Sequence, residues 1–68
     1  MSKDILALEE FAFELLNTLS DEYGIQDDGS FTKAIQETND VKTMNGIIRQ
    51  LQSNLLIAMF EAIPYKIN

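Results

Sequence analysis

Apolar residues recur along the first third of the chain at spacings of three, four or one: Ile5, Leu8, Ala12, Leu15, Leu16, Leu19 and Tyr23. That is the period of one helix face, and it predicts a first helix over about residues 3–23. Ser2 or Asp4 can cap its start, and Gly24 fits the left-handed stop, with Ile25 folding back toward Leu19. Residues 24–30 read as a turn, because they hold two glycines and two adjacent aspartates. Ser30 is then a candidate cap for a short helix over about 31–38, in which Phe31, Ala34 and Ile35 share a face.

The strongest pattern follows Asn39-Asp40, which ends the short helix and caps the next. Val41, Met44, Ile48, Leu51, Leu55, Ala58 and Ala62 occupy successive a and d positions of three heptads. This predicts a third helix over about 40–63 that packs against another helix. Pro64 closes it, since the ring removes a backbone donor and biases Ile63 away from helical angles. Asn45-Gly46 is the one discordant dipeptide, and a bend there is the alternative to a continuous helix. Val41 and Met44 stay in phase with the residues beyond the glycine, which favours continuity. The expected fold is all-α, a single domain over 1–68: a helical hairpin of two long helices, a short connecting helix and a tail over 64–68, assembling into a dimeric helical bundle.

The dimer expectation comes from a surplus of apolar surface. Between Leu55 and Ile63, eight of nine residues are hydrophobic, on all sides of the helix. Leu55, Ala58 and Ala62 belong to the seam, whereas Leu56, Ile57, Met59, Phe60 and Ile63 point elsewhere. Helix 1 has a smaller surplus in Leu6, Phe11 and Phe13. A helix that is apolar all round must be buried, and sixty-eight residues give little material to surround it. Leu56, Ile57, Met59, Phe60, Ile63 and Phe13 are therefore the candidate interface with a partner, most simply a second copy in a twofold dimer. A chain this short gains little from its core alone, and without cysteine or histidine it has neither disulfides nor the usual zinc ligands as supplements.

Charge adds a second surface. Residues 1–28 carry eight acids against Lys3, and residues 29–68 carry three acids against four bases, which together give the net charge of −6. Glu10, Glu14 and Asp21 line the face of helix 1 opposite its apolar stripe. The ordinary reading is a solvated face; the sharper ones are an acidic docking surface or a mimic of a nucleic-acid backbone. Direct nucleic-acid binding is disfavoured, because phosphate contacts need clustered Lys and Arg. Arg49, on the long third helix, is the candidate contact for an anion, whether a neighbour's acidic face or a small ligand, with Lys42 and Lys33 as supporting cations.

Catalysis is not expected. The familiar nucleophile and base pairs need Cys or His, and the chain has neither. Asp27-Asp28 or Glu10 with Glu14 could in principle hold a cation, but an EF-hand loop aligned on Gly29 puts Gly24, Gln26 and Ile35 at ligand positions. No phosphate-loop spacing occurs among Gly24, Gly29 and Gly46, so no cofactor or metal is expected. No apolar run is long enough to span a bilayer and the start lacks a signal-peptide core, so a cytoplasmic location is expected. The functional expectation is a small acidic binder, adaptor or inhibitor of an unidentified protein, of the sort phages and mobile elements encode. An oligomer holding a small anionic ligand between subunits and a nucleic-acid mimic are the alternatives.

Overall fold

The computed structural model describes residues 3–62, the side chain of Lys3 excepted. It consists of α1 (Lys3–Tyr23), α2 (Ser30–Glu37) and α3 (Val41–Ala62), with no strand among the described residues. Ile63 and the 64–68 tail lie outside the described residues.

Helix α1 forms where its stripe predicts, burying Ile5, Ala12, Leu15, Leu16 and Leu19 and half-burying Leu8 and Tyr23. It stops at Gly24, whose φ of 68° is a conformation that favours glycine. The Gly24 N–H donates to the Ser20 carbonyl at 3.1 Å and the Ile25 N–H to the Leu19 carbonyl at 2.9 Å, so two of the last carbonyls are satisfied. At the other end of the connection, Asp40 caps α3. Its carboxylate accepts from the Thr43 N–H at 2.9 Å and from the Thr43 hydroxyl at 2.7 Å.

The start of α2 departs from expectation. Ser30 is the first helical residue and Gly29 holds the cap position at φ 102°, with no side-chain hydrogen bond of its own. The capping falls to the two preceding aspartates. Asp28 accepts from the Ser30 N–H at 2.9 Å, and Asp27 accepts from the Phe31 N–H at 3.1 Å and the Thr32 N–H at 3.0 Å. The left-handed turn at Gly29 is what brings a carboxylate four and five residues upstream over the open end of the helix.

A second departure concerns direction. Leu8 and Phe11 line one groove with Asn45, Ile48 and Gln52, Leu16 and Leu19 line another with Asn54, and Tyr23 lines a third with Ala58 and Ala62. The level reached on α3 rises with the level on α1, so the two long helices run parallel. They do not form the expected hairpin, which requires antiparallel neighbours. The physical reason is the connection, residues 24–40, in which α2 runs back along the pair and returns the chain to the end where α1 began. The order is up, down, up.

Helix α2 seals one side of the α1–α3 seam. Phe31 lies level with Leu16, Leu19 and Asn54, and Ile35, one turn on, is fully buried. Met44, Ile48, Leu51 and Ala58 of α3 complete the core, while Val41 and Ala62 at the two ends of the heptad pattern stay exposed. Truncating a side chain as buried as Leu51 or Ile35 typically costs about 2–5 kcal/mol, so these positions carry the fold.

Helix α3 is continuous through Gly46, where a methyl group would meet nothing within 4 Å. Gly46→Ala is therefore expected to stabilise the protein by about 1 kcal/mol, through helix propensity and a less free unfolded chain. Denaturant unfolding checks this; a loss of stability would mean that the helix bends at this residue.

Candidate interaction surface

Helix α2 reaches only as far as the level of Asn54 on α3. Beyond that point, among the described residues, the cover comes from the last turns of α1 and from Ile25 just after them, on one face of α3. Leu55 remains half-buried and Ala58 buried, level with Tyr23 of α1. Around them Leu56 is 65% exposed, Ile57 53%, Met59 44% and Phe60 65%. Four large apolar side chains in five consecutive residues thus face outward, and a helix turns them to different sides. Of the other residues picked from the sequence as interface, Phe13 packs against the core and is half-buried, and Ile63 lies outside the described residues. Leu6 and Phe11 on α1 are 50% and 42% exposed.

The seam has an open side opposite α2. There Leu8 and Phe11 of α1 and Lys42, Asn45, Gly46 and Arg49 of α3 line a groove of about 640 Å³. The sequence singles out Arg49; the groove adds the polar side chains of Asn45 and Gln52 and the apolar wall of Leu8 and Phe11. These residues sit at i, i+3, i+4 and i+7 along α3, a stripe displaced from the heptad seam and overshadowed by it in the sequence. Among the described residues neither Lys42 nor Arg49 enters an ion pair. On the far side of α1, Glu10, Glu14 and Asp21 are all exposed. The α3 groove and the α1 acidic face therefore point away from each other and do not meet within one chain.

Of the carboxylates that sequence spacing offered as cation ligands, Asp27 and Asp28 have structural work as caps, as Asp40 has at α3. Burial acts to raise the pKa of Asp27, but hydrogen bonds from the Thr32 N–H and hydroxyl and the Phe31 N–H outweigh it and hold the group below the ordinary carboxylate range. Asp28 is lowered by the Ser30 hydroxyl and N–H, against the nearby charge of Asp27. Asp40 is lowered by the Thr43 hydroxyl and N–H. Among the described residues no group of three or more His, Cys, Asp or Glu is placed to hold a metal ion, and no helix is long and apolar enough to cross a membrane.

Because these three groups bind protons less readily in the folded chain, their contribution to stability is complete above the unfolded value of about 3.9 and is lost as pH falls through the lower folded values. The amides of Phe31, Thr32 and Thr43 are expected to shift with midpoints below that value in an NMR titration; midpoints at or above it would contradict the capping roles. Asp27→Ala should lower stability by about 0.5–2 kcal/mol in denaturant unfolding, as loss of a helix cap does.

Compared with known proteins, the chain matches no family model, no curated protein and no solved structure.

Proposed function

We propose that the chain is a protein-interaction module that acts by binding, and that the outward surface of the C-terminal half of α3 is its docking face. The observation that carries this reading is the exposure of Leu56, Ile57, Met59 and Phe60, between 44% and 65% each, in one short stretch of helix. Fully covering a Leu, Ile, Met or Phe side chain contributes about 1.5–3 kcal/mol, so a partner that covers these side chains gains several such increments at once. Large contiguous apolar patches on small chains mark places where another surface docks. A second copy of the chain is the simplest partner, and a dimeric helical bundle is the smallest product. Through the same face, or through the acidic face of α1, the chain acts as a stoichiometric binder, adaptor or inhibitor of another protein.

Sedimentation velocity over micromolar to submillimolar concentration is expected to show species larger than the 7.7 kDa monomer. Replacing Met59 and Phe60 together with polar residues should return the protein to the monomer while its helical circular dichroism persists. A wild-type protein that stays monomeric throughout would sink the self-association, and a variant that unfolds would show these side chains to be core.

The α3 groove favours a second reading, capture of a small anionic ligand, because Lys42 and Arg49 line it together with Asn45 and Gln52. Titration with inorganic phosphate, followed by NMR, should then shift the amides around Arg49, and Arg49→Gln should remove the shifts. Unperturbed amides at millimolar phosphate would count against it.

A further inference from the structure

The self-association proposed above leaves open which helix of the second copy meets α3, and the two outward stripes of this chain answer that together. On α3, Lys42, Gly46, Arg49, Ser53, Leu56 and Phe60 follow one another at spacings of four and three, and all six are exposed. On α1, Ala7, Glu10, Glu14, Asn17 and Asp21 follow the same alternating rhythm and are likewise all exposed. Each stripe is a heptad-type seam without a partner in its own chain.

We infer that the α3 stripe of one copy is covered by the α1 stripe of a second copy lying antiparallel to it, with Glu14 opposite Arg49 and Asp21 opposite Lys42.

Both cations stand seven residues apart on α3 and both acids seven residues apart on α1, so a register that joins one pair joins the other. In that same register Asn17 faces Gly46 and Glu10 faces Ser53, which sets small residues against longer polar ones and lets the helices approach. Ala7 faces Leu56, and Leu6, 50% exposed in the monomer, comes beside the apolar end of α3. A parallel arrangement joins both pairs only with Glu14 opposite Lys42 and Asp21 opposite Arg49. That register carries Leu56 and Phe60 past the end of α1 at Tyr23 and leaves the apolar end of α3 uncovered. The antiparallel register joins both charge pairs and keeps Leu56 over α1, opposite Ala7. The Leu56 and Phe60 end supplies burial and the two ion pairs fix orientation and register, the usual division between apolar contact and charge complementarity.

The contact is heterologous, α1 of one copy on α3 of the next. The two stripes lie on opposite sides of the α1–α3 pair, so each copy that has docked still offers a free stripe. Association therefore continues past the dimer as concentration rises, and does not close in a twofold pair.

A charge swap in the full-length chain tests this. Glu14→Arg and Arg49→Glu are each expected to weaken association about tenfold or more in sedimentation velocity at low salt, since each sets like charges opposite one another. The double variant E14R/R49E restores the pair with reversed polarity and is expected to recover association to within about threefold of wild type, a typical limit for an exposed pair moved into a new context. Both sites are exposed, and unchanged helical circular dichroism in all three variants excludes misfolding. Association that neither single reversal alters, or a double variant as weak as the singles, would overturn this register while leaving self-association through α3 standing. A wild-type chain that is monomeric at every concentration would overturn both.

Discussion

The parallel run of α1 and α3 is the constraint on which the rest of the structure depends. Two parallel neighbours cannot be joined by a tight loop, so the chain must travel back the length of the pair before α3 begins. Helix α1 is about 31 Å long at 1.5 Å per residue, and α2 covers only about 12 Å of that return. The six residues before α2 and the three after it supply the remainder. Because the return path crosses one side of the seam only, Ile35 and Phe31 seal that side and the other remains a groove. Because α2 is short and stops at the level of Asn54, the described residues cover the last two turns of α3 on a single face. The open groove and the exposed apolar end of α3 are both consequences of the same connection.

Helical periodicity was legible in the sequence, since the apolar residues of α1 and α3 repeat in phase over five turns, and the inner bounds at Tyr23, Ser30, Glu37 and Val41 lie within one residue of the expected ones. Gly24 and Asp40 were legible for a local reason: each acts within three or four residues of its own position, through the bonds to Ser20 and Thr43. The capping by Asp27 was not, because it depends on the left-handed turn at Gly29 to bring the carboxylate to Phe31 and Thr32. The direction of α3 was missed for a related reason. Periodicity says which face of a helix is buried and nothing about which way the helix points. The signal available was the length of the segment between the two long helices, residues 24–40, far longer than the 2–5 residues of a helical hairpin loop. As for the surface, the surplus of apolar side chains at Leu56–Phe60 could be read from the sequence, whereas the half-burial of Phe13 comes from its packing against the assembled core.

The charge distribution takes on a physical meaning once the helices are placed. Acidic side chains on the outer face of α1 and basic ones on the outer face of α3 point in opposite directions, so the chain is electrostatically two-sided. Such an arrangement gives little to the stability of the monomer, since exposed charges interact weakly with solvent between them. It gives orientation to an encounter between copies, and that effect fades as the Debye length shrinks toward about 3 Å at 1 M salt. The carboxylates of Asp27, Asp28 and Asp40, by contrast, are spent within the chain on helix ends.

The parallel placement of α1 and α3 is tested most directly by distances between spin labels. Labels at the exposed positions Glu22 and Glu61, and in a second preparation at Glu22 and Lys42, would be measured by pulsed electron resonance. Dilution with unlabelled chain isolates distances within one molecule. The structure predicts a short separation for Glu22 with Glu61 and one longer by about 20 Å or more for Glu22 with Lys42, since α3 advances about 29 Å between the two sites. The reverse order, with Glu22 close to Lys42 and far from Glu61 in the diluted sample, would show an antiparallel hairpin and contradict the account.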